Sequence, residues 1–183
     1  MNVYLSSVFY IILLLFLTQG VMGKEEKLDT MDAIYYRPMS NTEYIWGICL
    51  GFIYAFGITG IVSLVLAMFI HLFLSDAPFY FPIYLFYWFT LFLPTIIWIL
   101  GLSLFVQRVV KNRLLSLMIS FSYIVIVIFY IRDSLYGLFD FIGVTLPGVW
   151  SEITGFSDLI SFLLQRGCWL FFGIGMIQLS TFT

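Results

Sequence analysis

Residues 46–74 read WGICLGFIYAFGITGIVSLVLAMFIHLFL, without one Asp, Glu, Lys or Arg. The uncharged run extends from Tyr44 to Ser75, 32 residues, or roughly 48 Å as a helix at 1.5 Å per residue. A hydrocarbon core of ~30 Å needs only about 20 apolar residues, so this segment crosses a bilayer and either tilts or projects beyond it. No strand-period alternation is visible, and open sheet edges do not survive in lipid, so the segment reads as a helix.

The rest of the chain agrees with that reading. Of 183 residues, 62% are apolar, 21% aromatic and 10% charged, and mean hydropathy is +1.07. Soluble domains are roughly 45–50% apolar and about 25% charged, and a soluble fold of this size has no place to hide so much apolar surface. Disorder needs the opposite composition. Net charge is −2 with no basic block, which argues against a nucleic-acid partner. The fold class is therefore an all-α, polytopic transmembrane helical bundle in one domain, 1–183. Its uncharged stretches predict five spans, at about 3–22, 46–74, 83–107, 114–131 and 167–183. Pro94 should kink the third. The sparse stretch 132–166 contains the breakers Gly137, Gly143, Pro147 and Gly148, and Phe139, Phe141, Trp150 and Phe156 suit a membrane interface. A short helix is expected over 158–165.

Lys and Arg set the orientation. The 24–43 loop holds Lys24, Lys27 and Arg37, the 108–113 turn holds Arg108, Lys111 and Arg113, and the 132–166 stretch holds only Arg132 and Arg166. With five spans the first two groups share one side, which is expected to be cytoplasmic. The N-terminus and 132–166 then lie outside, in a plasma or inner membrane. The triplet Arg108, Lys111 and Arg113 is expected to anchor headgroups, each charge near the surface contributing about 1 kcal/mol. A cleaved signal peptide is the competing reading of residues 1–23, but its n-region lacks Lys and Arg.

Eight charges crowd into residues 24–43: Lys24, Glu25, Glu26, Lys27, Asp29, Asp32, Arg37 and Glu43. Residues 24–46 read KEEKLDTMDAIYYRPMSNTEYIW. Leu28, Met31, Ile34 and Tyr35 form one apolar helical face. Pro38 ends that helix and biases Arg37 away from helical geometry. Ser40-Asn41-Thr42-Glu43 is a capping box, in which the Ser40 hydroxyl serves the Glu43 amide and the Glu43 carboxylate reaches back to Ser40. A surface helix, a break and a capped membrane helix follow one another.

This arrangement resembles the cytoplasmic loop of ABC transporter permeases of the type-2 exporter family. Its elements stand here as Glu25-Glu26-Lys27, Thr30-Met31-Asp32, the apolar run 33–36, Arg37-Pro38, Ser40 and Glu43, with Asp29 where a Gly often precedes the Thr. The resemblance implies a coupling helix that docks on a separate ATP-hydrolysing subunit, through Glu25, Glu26, Thr30, Asp32, Arg37, Pro38, Ser40 and Glu43. It also implies a second permease subunit or a homodimer, and a family span preceding Met1, so that 183 residues would be a partial permease. The short last span, without a flanking anchor, fits that expectation. The rival reading is a non-enzymatic membrane scaffold or assembly protein with no ATPase partner; a channel would need polar lining that the spans lack.

Other features carry less. Gly47, Gly51 and Ala55 recur every four residues and read as a helix-packing stripe, within one subunit or at a dimer seam. His71 is the only histidine, and Cys49 and Cys168 have no metal-type spacing, so no metal site is expected. No phosphate-binding loop is present, so the chain itself is not expected to bind or hydrolyse ATP; neither enzyme activity nor a cofactor is expected. No Asp, Glu, Lys or Arg is expected mid-span.

Overall fold

The apolar runs form helices because a backbone polar group in lipid must find its partner within its own segment. The structure is a computed structural model that describes residues 3–25, 40–74, 78–110, 112–131, 137, 139–143, 150–151, 155–156 and 158–182. Among the described residues five helices follow in order: α1 (Val3–Glu25), α2 (Asn41–Leu74), α3 (Phe81–Val110), α4 (Arg113–Ile131) and α5 (Leu159–Phe182). A small antiparallel pairing sets Trp150 opposite Phe156 and Ser151 opposite Gly155. Helices α2 to α5 are long and apolar enough to cross a membrane; α1 carries a shorter apolar stretch, Leu5–Gly20. This is the architecture of a multi-pass membrane protein.

Helix α3 is the central post. Its apolar window is 78% buried, against 11% for α2, which lies at the edge and presents Leu50, Tyr54, Ile58, Ile61 and Val62 outward. Around α3 pack Ile11, Leu14 and Leu15 of α1, Cys49 and Phe56 of α2, Ile124 of α4, and Trp169 and Ile177 of α5. The closest crossing is α3 on α5. A Cβ on Gly173 would lie 2.8 Å from the Ile97 carbonyl carbon, and one on Gly101 would meet the Gly173 carbonyl oxygen. Such close backbone approach replaces the hydrophobic drive that lipid does not supply. Beside it Trp98 and Trp169 pack edge to face at 4.8 Å.

Pro94 lacks an N–H, and α3 answers in the turn before it. Trp88–Phe92 widens into a π-turn, with the Leu93 amide donating to the carbonyl of Trp88, five residues back. The irregularity lies in the turn before the proline.

Three expectations in the 132–183 region are corrected. The last helix begins at Leu159 and runs unbroken to Phe182, so 158–165 is its opening and not a separate helix. Arg166 therefore lies inside a membrane helix, only 2% exposed, where no Asp, Glu, Lys or Arg was expected. Phe141 is fully buried in the core and not at the interface.

These findings share one cause. Residues 139–143 form a tight turn, with left-handed φ at Gly143, pressed between α3 and α5. Irregular backbone at that depth must be satisfied by protein. Arg166 Nη1 donates to the Phe141 carbonyl at 2.7 Å and Nη2 to the Asp140 carbonyl at 2.6 Å. The Thr95 hydroxyl donates to Phe141 at 3.0 Å, and the Asp140 carboxylate accepts the Ile142 and Gly143 amides at 3.1 and 2.8 Å.

Candidate functional site

The site built upward from the sequence lies where α2 begins. The Ser40 amide donates to the Glu43 carboxylate at 2.8 Å, and the Glu43 amide donates to the Ser40 hydroxyl at 3.2 Å. The expected capping box is thus formed on both sides, and it sets the starting point of α2. The Ser40 carbonyl then accepts from the Tyr44 amide at 3.1 Å, opening the helical ladder.

Inside that cap, Asn41 uses both ends of its amide. Its Nδ2 donates to the Thr181 carbonyl at 2.7 Å, and its Oδ1 accepts from Arg108 Nη2 at 2.6 Å. One turn on, the Trp46 indole N–H donates to Gln178 at 3.3 Å. The first turns of α2 are therefore tied to the last turns of α3 and α5. Arg108, expected on lipid headgroups, donates to Asn41 here, and a bond from a guanidinium is stronger than a neutral one. Nothing in the sequence pattern marks Asn41 beyond its place in the capping box. Its partners are 67 and 140 residues away along the chain.

The same end of the bundle gathers the end of α1. Thr18 and Ser103 hydroxyls meet at 2.7 Å, and Gln19 donates to the Ser116 hydroxyl at 3.0 Å, all four residues buried. A Cβ on Gly20 would lie 3.9 Å from Arg113 Nη2. One face therefore holds the ends of α1, α3 and α5 and the starts of α2 and α4. The stretches 24–43 and 108–113 leave from this face, and they carry six of the eight Lys and Arg residues.

Of the other residues assigned to coupling, Glu25 closes α1. Glu26, Thr30, Asp32, Arg37 and Pro38 lie outside the described residues, as does Lys111. Gly47, Gly51 and Ala55 face outward, and a Cβ added at Gly47 or Gly51 meets nothing within 4 Å. Among the described residues nothing packs on Gly47 or Gly51. The close glycine crossing belongs to Gly101 and Gly173. The sequence reading missed it because two glycines in separate helices share no spacing.

Comparison with protein-family models, with curated proteins and with solved structures finds no match for this chain.

Proposed function

We propose that this chain is the membrane-spanning permease part of an ATP-driven ABC transporter of the type-2 exporter family, coupling ATP hydrolysis in a separate subunit to export. The observation that supports the reading best is the capped start of α2 directly after the charged segment 24–39. The Ser40–Glu43 box fixes where α2 begins, and Asn41 connects that turn to α3 and α5. A push on the segment would be carried into three helices rather than absorbed in a hinge. The face from which the segment leaves is the one rich in Lys and Arg, which the positive-inside bias assigns to the cytoplasm. An ATPase would reach it there, in a plasma or inner membrane.

The work assigned to this chain is mechanical. Residues Glu25, Glu26, Thr30, Asp32, Arg37 and Pro38 form the surface offered to the ATPase, and Ser40 and Glu43 transmit its motion. A second permease subunit, either another copy or a relative, completes the pathway. Replacement of Glu26, Asp32 and Pro38 by Ala should uncouple ATP hydrolysis from transport and leave membrane insertion unchanged. Substrate-stimulated ATPase activity that survives all three replacements would leave the scaffold reading standing in its place.

A further inference from the structure

Helix α4 buries one stripe of residues at four-residue spacing, Ser116, Ser120 and Ile124. Ile124 and, three residues on, Val127 belong to the apolar core. In the half of α4 nearer the Lys- and Arg-bearing end, the buried residues are the two serines, while Leu114, Leu115, Met118 and Ile119 stand exposed. The helix is thus packed by hydrocarbon in its far half and by hydroxyls in its near half.

Adjacent residues of α1 form polar pairs with two different helices, and the pairs differ in completeness. The Thr18 hydroxyl meets Ser103 of α3 at 2.7 Å and has the Leu14 and Leu15 carbonyls at 2.9 and 3.0 Å, so both hydroxyl protons find an acceptor. Gln19 Nε2 donates to the Ser116 hydroxyl of α4 at 3.0 Å. Gln19 Oε1 and Ser120 Oγ, however, are buried without a hydrogen-bond partner among the described residues. Exchanging the oxygen and nitrogen of the Gln19 amide moves the deficit to the nitrogen and does not remove it. Gln19, Ser116 and Ser120 are all 0% exposed, so in this arrangement solvent reaches neither orphan. A polar atom buried without a partner costs stability, and the more so in surroundings of low polarity.

We propose that the seam between α1 and α4 is a gate that opens to water. The first turns of α4 swing away from α1 about Ile124 and Val127, and water enters between Gln19, Ser116 and Ser120. Opening gives up the neutral Gln19–Ser116 bond and hydrates three polar side chains, two of which hold orphaned atoms when the seam is closed. The closed state is therefore held weakly at this place, as local openings of a native fold require. The π-turn Val127–Ile131 follows the pivot directly, and such turns are where helices bend. Water reaches the seam from the start of α4, where Asn112, Arg113 and Leu114 are exposed. The α1–α3 contact stays shut, because the Thr18–Ser103 pair leaves no proton unspent. The gate opens without an ATPase, so it is independent of the coupling reading.

Two measurements on the full-length chain in detergent micelles test the gate. In a background of Cys49→Ala and Cys168→Ala, Ser120→Cys and Ile124→Cys are compared for their rate of modification by a small cationic methanethiosulfonate. Both positions are buried when the seam is closed, Ser120 at 0% and Ile124 at 4%. Ser120→Cys should react about ten-fold faster, a difference of roughly 1.4 kcal/mol in the free energy of opening. The second measurement is the melting temperature of Ser120→Ala. Loss of a hydroxyl that only the open seam satisfies should raise it above that of wild type. Reaction at Ser120→Cys no faster than at Ile124→Cys would overturn the gate, because the two positions would then be exposed only together. A Ser120→Ala variant melting at or below the wild-type temperature would overturn it too, by showing that the closed seam already satisfies the hydroxyl.

Discussion

At the scale of single residues, the bundle is held by polar groups that lipid makes indispensable. Arg166 is the strongest case. Its guanidinium serves the carbonyls of Asp140 and Phe141 and the Gln165 amide oxygen, at 2.6, 2.7 and 2.9 Å, and its charge lies 5.7 Å from the centre of the Phe162 ring. Arg166→Leu removes two charge-assisted bonds, each contributing about 1.5–3 kcal/mol, and leaves the Phe141 carbonyl with Thr95 and the Asp140 carbonyl with Gln165. The variant should show a sharply lowered melting temperature in detergent, and Arg166→Gln should recover part of it. Equal melting of wild type and Arg166→Leu would show that the turn is held by other means. The Thr18–Ser103 and Gln19–Ser116 bonds are smaller terms. Interhelical hydrogen bonds in membranes average roughly 0.6 kcal/mol, so Thr18→Val combined with Gln19→Leu should lower the melting temperature only slightly. None of these partners could be read from the chain. Arg166 looked like one of the sparse loop charges because the uncharged run begins only at Gly167. It lies inside the helix that starts at Leu159, where the Asp140 and Phe141 carbonyls satisfy it.

At the scale of elements, glycine position separates structure from surface. Gly173 and Gly51 are both small residues in membrane helices, yet only Gly173 touches a neighbouring backbone. Gly173→Leu should force α3 and α5 apart, at a cost of about 1–3 kcal/mol or more, and give poor recovery of monodisperse protein. Gly51→Leu should elute and melt like wild type when this chain is purified alone. If the two behave alike, the α3–α5 crossing is wrong. The existence and order of the helices were legible, because charge-free runs of this length allow little else in lipid. The start of α2 was legible to the residue through Ser40 and Glu43, a local device written in four adjacent positions. Helix neighbours were not, since a helix apolar all round gives no sign of which face is lipid and which is protein. Gly47, Gly51 and Ala55 show this directly: their spacing is regular, and among the described residues they stand exposed.

At the scale of the whole molecule, the two ends of the bundle differ. One end gathers the cap of α2, the Asn41 bonds and the basic stretches; the other holds the buried 139–143 turn. The positive-inside bias predicts sidedness. In a background of Cys49→Ala and Cys168→Ala, a membrane-impermeant maleimide applied to intact cells should label Asp158→Cys and spare Asn112→Cys, and the pattern should reverse in inverted vesicles. Labelling of Asn112→Cys in intact cells would reverse the orientation and remove segment 24–43 from the reach of any cytoplasmic ATPase.

The coupling reading meets its most direct test in capture of the full chain from native membranes in mild detergent. The account predicts that an ATP-hydrolysing subunit co-purifies with wild type. It also predicts that this subunit is lost from the variant carrying Glu26→Ala, Asp32→Ala and Pro38→Ala, although that variant inserts normally. A wild-type preparation without ATPase activity, or a triple variant that retains the subunit, would contradict it.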